Sequence, residues 1–512
     1  MTQSGNAALY FVDRHAQEGR SDKTAFREAA GNRQSLTYGE LAESSGRVAS
    51  ALVRAGIMRE ARAVMLVLDQ IEFPEIFWGC LKAGVVAVPL NTLLTEAVYE
   101  HILNDSRATC LFVSDELWPV VQKAAESCPT LTNIIVIGST TPKGTTSYAD
   151  FTYGCAPIAP IEASDDDTAF WLYSSGSTGQ PKGVRHVHAS LRATSDSYGA
   201  KVLEIAEEDV IFSAAKLFFA YGLGNGMTFP MSVGATAILF DGRPTPESTL
   251  GILRQEEPSI FCGVPTLFAA CVAALESDGT LDVALRRCIS AGEALPEEIG
   301  RKWEAMSGVE ILDGVGSTEM LHIFLSNAPD DVVYGTSGRA VPGYDLRLLN
   351  EEGEEVADGD IGELFVRGAS AADGYWNKRD KSRSTFEGEW TRTGDKYERN
   401  SDGRYIYCGR TDDMFKVSGI WVSPFEVEQA LISHEAVLEA AVVPKRDDDG
   451  LEKPKAFIVL KQGGRQDLTG ELKAFVKDKV GKWKYPRWVE FVEDLPKTAT
   501  GKIQRFKLRE DT

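Results

Sequence analysis

Between residues 61 and 264 the chain repeats one pattern. A short run of β-branched, aromatic and small apolar residues is followed, in several places, by a stretch with apolar residues at helical spacing. The runs are ARAVMLVL (61–68), VVAVPL (85–90), ATCLFV (108–113), NIIVIG (133–138), TAFWLY (168–173), TAILF (236–240) and SIFCGV (259–264). IEFPEIFWGCLKAG (71–84) lies between the first two and reads as a helix. Short buried strands alternating with helices predict an α/β fold built in layers. At 512 residues the chain exceeds what one core can organise, so two or more domains are expected.

The texture changes after about residue 330. GYDLRLLNEEGEEVADGDIGELFVRG (343–368) alternates apolar and polar residues, is rich in Gly and Asp, and reads as β-hairpins. Asp402-Gly403 marks another turn. Then come a helix PFEVEQALISH (424–434), strands LEAAVVPK (438–445) and KAFIVL (455–460), and a helix TGELKAFVKDKV (469–480). Roughly the last hundred residues therefore read as a small α+β domain of their own.

Charge narrows the partners. The formal net charge of −21 disfavours nucleic acid. Lys473 to Asp511 runs the other way, with eleven Lys/Arg against six Asp/Glu, or +5, so the remainder carries about −26. That basic end is either a solvated surface or a place where a polyanionic ligand is met. The apolar stretch from Ile76 to Leu90 is interrupted by Lys82, and the first residues show no basic region followed by an apolar core. The expectation is a cytoplasmic protein with no membrane span. The eight cysteines form no CxxC and no Cys/His cluster, so they read as core thiols rather than a zinc site.

YSSGSTGQPKGV (173–184) carries the most chemistry. It follows the strand TAFWLY and combines glycines, hydroxyls and Lys182. It is no Walker loop: counted from Gly176, the sixth position is Pro181. It also lacks the GxGxxG of a dinucleotide fold. Backbone N–H groups and hydroxyls in such a loop can surround phosphate oxygens, with Lys182 as a local cation. The plain alternative is a Gly/Ser surface loop.

With its companions the loop resembles the adenylate-forming superfamily of acyl- and aryl-CoA ligases, peptide-synthetase adenylation domains and luciferases. The companions, in that family's order, are SAGEALP (290–296), DGVGSTE (313–319), YGTSGRAVPGY (334–344), GELFVRG (362–368), WTRTGD (390–395), YIYCGRTDDMFKVSG (405–419) and LPKTATGKIQR (495–505). KLFFAYGLGNGMTFPMSVGAT (216–236) and GSTEMLHIFLSN (316–327) further resemble the benzoate–CoA and hydroxybenzoate–CoA ligase branch.

The resemblance implies an α/β fold: a large N-terminal domain (1–411) of layered subdomains plus a β-rich one, and a small mobile α+β C-terminal domain (412–512). It implies ATP, Mg²⁺ and coenzyme A as reactants, a small aryl carboxylate as substrate, and a monomer or homodimer. Two alternatives remain: an enzyme loading a separate carrier protein, and an inactive binder of aryl acid or nucleotide.

Roles carry over by motif. Ser174, Ser175, Gly176, Ser177, Thr178, Gly179 and Lys182 would hold the β- and γ-phosphates. Thr318 would meet the α-phosphate and Glu319 the Mg²⁺, a hard cation suited to carboxylate and phosphate oxygens. Gly292, Glu293 and Ala294, with Asp313 and Gly314, would line the adenine, and Asp395 and Arg410 the ribose. Val315 stands where many members carry an aromatic residue, so adenine would be covered without ring stacking.

Lys502 would be the catalytic cation bridging substrate carboxylate and α-phosphate, with Lys497 and Arg505 as solvated neighbours. Asp412 would be the hinge, and Lys416, Ser418 and Gly419 would line the pantetheine tunnel. Phe219, Ala220, Tyr221, Gly263, His322 and Ile323 would form a flat apolar slot for the aryl ring. His322 is there either a polar tip of that slot or a satisfied core histidine.

Overall fold

Two large sheets built mainly on parallel strands carry the chain as far as Tyr375. The computed structural model describes residues 4–29, 34–174, 180–417, 420–447, 451–461, 468–497 and 503–510. One sheet orders its strands as Arg339–Ala340, Ile323–Ser326, Ile311–Gly316, Arg287–Ala291, Ile260–Gly263, Val210–Ser213, Thr236–Leu239, Thr24–Glu28 and Ser35–Thr37. The other runs Gly374–Tyr375, Lys182–Val187, Thr168–Ser174, Val86–Pro89, Arg62–Leu66, Cys110–Ser114, Asn133–Ile137 and Thr146–Ser147. The seven apolar runs read from the sequence are all strands of these two sheets.

The helices Tyr38–Arg54 and Glu72–Ala83 share one core with strands of both sheets, through Val48, Leu52, Phe73, Phe77 and Trp78. The first begins on a capping box: Thr37 Oγ1 accepts from the Glu40 N–H while the Glu40 carboxylate accepts from the Thr37 N–H. Lys82, which breaks the apolar run, is buried, and its ammonium reaches Asp13 Oδ1 at 2.7 Å. Among the described residues no helix is long and apolar enough to cross a membrane. All eight cysteines are free, and only Cys155 is not fully buried.

The hairpin-rich stretch forms a five-stranded sheet. Asp345–Leu349 pairs Ile361–Arg367, which pairs Trp390–Arg399, and that strand also pairs Phe386–Glu387 and Tyr405–Arg410. Beyond it lies a smaller α+β unit. A hairpin, Phe415–Val417 with Ile420–Val422, precedes the helix Pro424–Ile432 and a three-stranded sheet of Val437–Arg446, Glu452–Leu460 and Trp488–Phe491, with the helices Thr469–Val480 and Arg505–Glu510. Val427, Leu431, Val442, Ile458 and Leu472 form its separate core.

Candidate active site

The phosphate-loop motif joins the two strands of a hairpin. Thr168–Ser174 and Lys182–Val187 pair antiparallel, and Ser174 stands directly opposite Lys182. The residues between them, Ser175, Gly176, Ser177, Thr178 and Gly179, lie outside the described residues, as do Ser418, Gly419 and Lys502.

The GSTE turn meets this hairpin. After the strand Ile311–Gly316 the chain reverses, with Leu321 at φ 65°, a left-handed conformation uncommon for leucine. The turn lets Ile323–Ser326 return antiparallel to the strand it left. His186 on the hairpin donates from Nε2 to the Thr318 carbonyl at 2.8 Å. Ser174 Oγ lies 3.5 Å from Glu319 Oε1, and the Tyr375 hydroxyl donates to the same oxygen at 2.8 Å. Among the described residues no partner is recorded for Oε2. A half-buried carboxylate with one oxygen anchored by a hydroxyl suits Mg²⁺. Lys182 Nζ sits 4.4 Å from the Tyr375 ring centroid, and burial lowers its pKa against the opposing pull of Glu319.

The nucleoside candidates line up beside this turn. Parallel pairing sets Ser290 opposite Asp313 and Ala291 opposite Gly314. The loop carrying Gly292, Glu293 and Ala294 therefore leaves its strand next to Asp313 and Gly314. Asp313 is buried, which raises its carboxyl well above the usual carboxylate range, and Oδ1 has no hydrogen-bond partner among the described residues. An unsatisfied buried acceptor at this point fits an exocyclic amino donor. Val315 packs against the core of the same sheet. On the five-stranded sheet, Arg410 Nη1 reaches Asp395 Oδ1 at 2.9 Å.

The aryl candidates converge on His322. The Tyr221 hydroxyl lies 3.1 Å from both the Gly263 and Ile289 carbonyls. His322 Nε2 donates to the Tyr221 carbonyl at 3.4 Å, and its ring packs on Tyr221, Tyr198 and Phe229. Burial holds His322 neutral, with a pKa lowered to about 3. With Nε2 donating, Nδ1 is an acceptor, and it has no partner among the described residues. Phe219 caps the short helix Ala220–Leu223 that carries Ala220 and Tyr221, and Ile323 is buried directly after His322.

Sequence reasoning passed over Asn225. It lies in the π-helical turn Gly224–Thr228, which joins the short helix carrying Tyr221 to the one that begins at Phe229. It is 1% exposed, and neither amide atom has a partner among the described residues. It also passed over Tyr375 and His186, whose partners are 56 and 132 residues away and leave no mark in local spacing.

At the expected hinge, the Asp412 carbonyl accepts from Arg509 Nη1 at 3.1 Å, and Asp413 Oδ1 from Arg509 Nη2 at 2.6 Å. Lys416 lies on the strand that follows. Arg505 is not the solvated neighbour expected from the sequence. Its Nε and Nη2 grip both oxygens of Glu428 at 3.0 and 2.7 Å, and it lines a narrow cleft with Arg410, Asp413 and Phe425. Lys497 is likewise paired, with Glu439 Oε2 at 2.7 Å and Asp494 Oδ1 at 3.3 Å. Both cations are drawn in because carboxylates from neighbouring strands and helices reach them, which local spacing does not reveal.

Residues 12–376 match the AMP-binding enzyme family, and residues 426–502 match the AMP-binding enzyme C-terminal domain. The chain is 53% identical over 515 residues to the 4-hydroxybenzoate–CoA/benzoate–CoA ligase of Rhodopseudomonas palustris, covering 99% of this chain and 94% of that protein. It is also 53% identical to the benzoate–CoA ligase of Thauera aromatica, covering 98% and 95% respectively. Its fold superposes on the crystal structure of a benzoate CoA ligase from Burkholderia xenovorans with a TM-score of 0.90, at 50% identity, covering 98% of this chain and 99% of that one.

Proposed function

The chain belongs to the AMP-binding enzyme family, and from that premise we propose that it is an ATP-dependent aryl-CoA ligase acting on benzoate or a small hydroxybenzoate. The observation that carries the reading is the meeting of Ser174, Lys182, Glu319 and Tyr375 at one end of a site whose other wall is the Tyr221–His322 cluster.

The reaction has two steps. A carboxylate oxygen of the acid attacks the α-phosphorus of ATP, and pyrophosphate leaves with the electron pair of the broken P–O bond. The CoA thiol, giving up its proton, then attacks the acyl carbon, and AMP leaves. In the first step Ser174 and Lys182, with Ser175 to Gly179, hold the β- and γ-phosphates, and Thr318 meets the α-phosphate. Glu319 holds Mg²⁺, which supplies neutralisation of the phosphate charge. Asp313, Gly314 and the Gly292–Ala294 loop receive adenine, and Asp395 and Arg410 fix the ribose.

Lys502 bridges the carboxylate and the α-phosphate while negative charge builds there. Residues 412–512 act as the moving domain, turning at Asp412 so that Lys416, Ser418 and Gly419 line the thiol's path in the second step. Phe219, Ala220, Tyr221, Gly263, His322 and Ile323 hold the ring, and His322 Nδ1 and the Asn225 amide, without partners among the described residues, are suited to a ring hydroxyl. We place the enzyme in the cytoplasm, where ATP and CoA are met, as a monomer or homodimer.

The test mixes enzyme, Mg²⁺-ATP, CoA and benzoate or 4-hydroxybenzoate, with mass detection of products. Aryl-CoA and AMP in equal amounts are expected. Adenylate accumulating without thioester would instead indicate loading of a carrier protein, and no product from any benzoate an inactive binder.

A further inference from the structure

The stretch from Ser370 to Trp376 belongs to no motif given a role above, yet it ties the two halves of the phosphate end together. On one side Ser370 Oγ donates to the Met320 carbonyl at 2.7 Å, and the Ala372 N–H to the Glu319 carbonyl at 2.8 Å. On the other side the Asp373 and Trp376 N–H groups donate to the Arg185 and Gly183 carbonyls at 2.9 and 2.8 Å. Gly374 and Tyr375 thereby extend the sheet beside Arg185 and Val184. The strap is clipped at its end, where Ser382 Oγ accepts from the Tyr375 N–H at 3.0 Å.

Tyr375 is the one residue of the strap whose side chain reaches both charges. Its hydroxyl donates to Glu319 Oε1 at 2.8 Å, and its ring face lies 4.4 Å from the Lys182 ammonium. The ring is 5% exposed and packed on Phe386, so its position is set by its surroundings. We propose that Tyr375 is a positioning residue for adenylate formation: its hydroxyl fixes Glu319 so that Oε2 faces the nucleotide-bound cation, and its ring sets the place of Lys182. The inference rests on the ligase reading.

A glutamate without this bond distributes itself over rotamers and must be ordered when the cation arrives. Held by one oxygen, it meets the cation already oriented.

The experiment compares Tyr375→Phe, which keeps the ring and its cation contact, with Tyr375→Leu, which removes both. Manganese binding to the complex with a non-hydrolysable ATP analogue is followed by electron paramagnetic resonance, beside pyrophosphate exchange and thermal melting. Tyr375→Phe should weaken manganese binding about tenfold, the scale of a hydrogen bond to a charged group. It should slow adenylation to a similar degree and leave thioester formation from supplied benzoyl-AMP unchanged. Tyr375→Leu should add a loss of pyrophosphate affinity through Lys182. In a Glu319→Gln background the Tyr375→Phe change should have little further effect.

Wild-type manganese affinity in Tyr375→Phe, or an undiminished effect in the Glu319→Gln background, overturns the inference. A lower melting temperature with unchanged manganese affinity and unchanged half-reactions does the same, since it marks a packing role alone. Wild-type enzyme that forms no adenylate defeats the ligase reading itself, a separate result.

Discussion

Asp395 and Arg410 stand opposite each other on adjacent antiparallel strands, with Arg410 Nη1 2.9 Å from Asp395 Oδ1. The same nitrogen donates to the Thr393 carbonyl at 3.1 Å, so the guanidinium spans the bend at Gly394. Gly394 has φ 74°, and a β-carbon there would lie 2.9 Å from Arg410 Nη2. Gly394→Ala should therefore strain the bend and push the guanidinium off its partner. The expected outcome is an increase in KM for ATP of about tenfold, with the aryl-acid KM unchanged. Asp395→Ala, which also removes the proposed ribose acceptor, should cost about a hundredfold in kcat/KM for ATP. Steady-state kinetics with each substrate varied in turn checks both, and an aryl-acid defect of equal size would contradict the assignment.

Lys502→Ala should separate the two half-reactions. Adenylate formation, followed by pyrophosphate exchange, should fall about a thousandfold or more, since a cation aimed at developing charge is removed. Thioester formation from supplied benzoyl-AMP and CoA should stay within about twofold of wild type. Equal loss of both would remove Lys502 from the role given to it.

The fold was legible because its signals are local. Seven apolar runs and the turn residues at Asp402-Gly403 each specify structure over a few positions, and the runs all lie in strands. The motifs also named Ser174, Lys182, Thr318 and Glu319, which the fold brings to the hairpin from Thr168 to Val187. What spacing could not supply was long-range satisfaction. Arg505 and Lys497 look solvated in an exposed, basic sequence, but Glu428 and Glu439 come to them from distant elements. Tyr375 reads as one more aromatic strand residue until pairing beside Val184 aims its hydroxyl at Glu319. Asn225 reads as part of a Gly-rich segment until its burial leaves the amide without partners among the described residues.

Gly224 controls the aryl wall. A β-carbon there would lie 2.4 Å from His322 Cδ2, far inside van der Waals contact. Gly224→Ala should displace the imidazole from the Tyr221 carbonyl and narrow the slot. The expectation is a drop of about tenfold or more in kcat/KM for benzoate, with the ATP KM unchanged. His322→Ala in the same background should relieve the clash and recover part of the loss. Failure of that recovery would locate the effect elsewhere.

Acid should weaken the fold in a definite window. Burial lowers the pKa of His15, His186 and His188 to about 4 and that of His322 to about 3. The unfolded chain protonates histidines near 6.5, so it binds more protons than the folded state between about 4 and 6.5. Stability from these residues is present above that window and is lost as pH falls through it. Burial has the opposite consequence for Asp69, raised to about 6, and Glu75, raised to about 7. Their folded forms hold protons that the unfolded chain has released, so their stability is lost as pH rises. Asp313, Glu28 and Glu72, also raised by burial, oppose the histidines in the same way, so the loss on acidification from pH 6 to 5 is smaller than the four histidines alone would give. Thermal melts across this range should show a falling Tm, and Glu75→Gln should steepen the fall. A flat or rising Tm on acidification would contradict the assignment.

Arg505 ties the start of the helix Arg505–Glu510 to Glu428, and its removal should be felt in two ways. Glu428 is 4% exposed on its side chain, accepts both Arg505 bonds and also accepts from the Val442 N–H at 2.7 Å. Arg505→Leu leaves this carboxylate buried without its cation, a change that typically costs about 3–5 kcal/mol. That cost falls on the small C-terminal core, so proteolysis should cut this part of the chain first, while the N-terminal sheets persist. Adenylation should fall because the residue three positions after Lys502 no longer holds the backbone against the Pro424–Ile432 helix. ATP affinity, which depends on the hairpin and on Asp395, should change little. Pairing the change with Glu428→Leu removes the unsatisfied charge and should restore much of the stability. It should not restore adenylation, since the anchor is still absent, and a double variant that regains full adenylation would show that Arg505 contributes to stability alone.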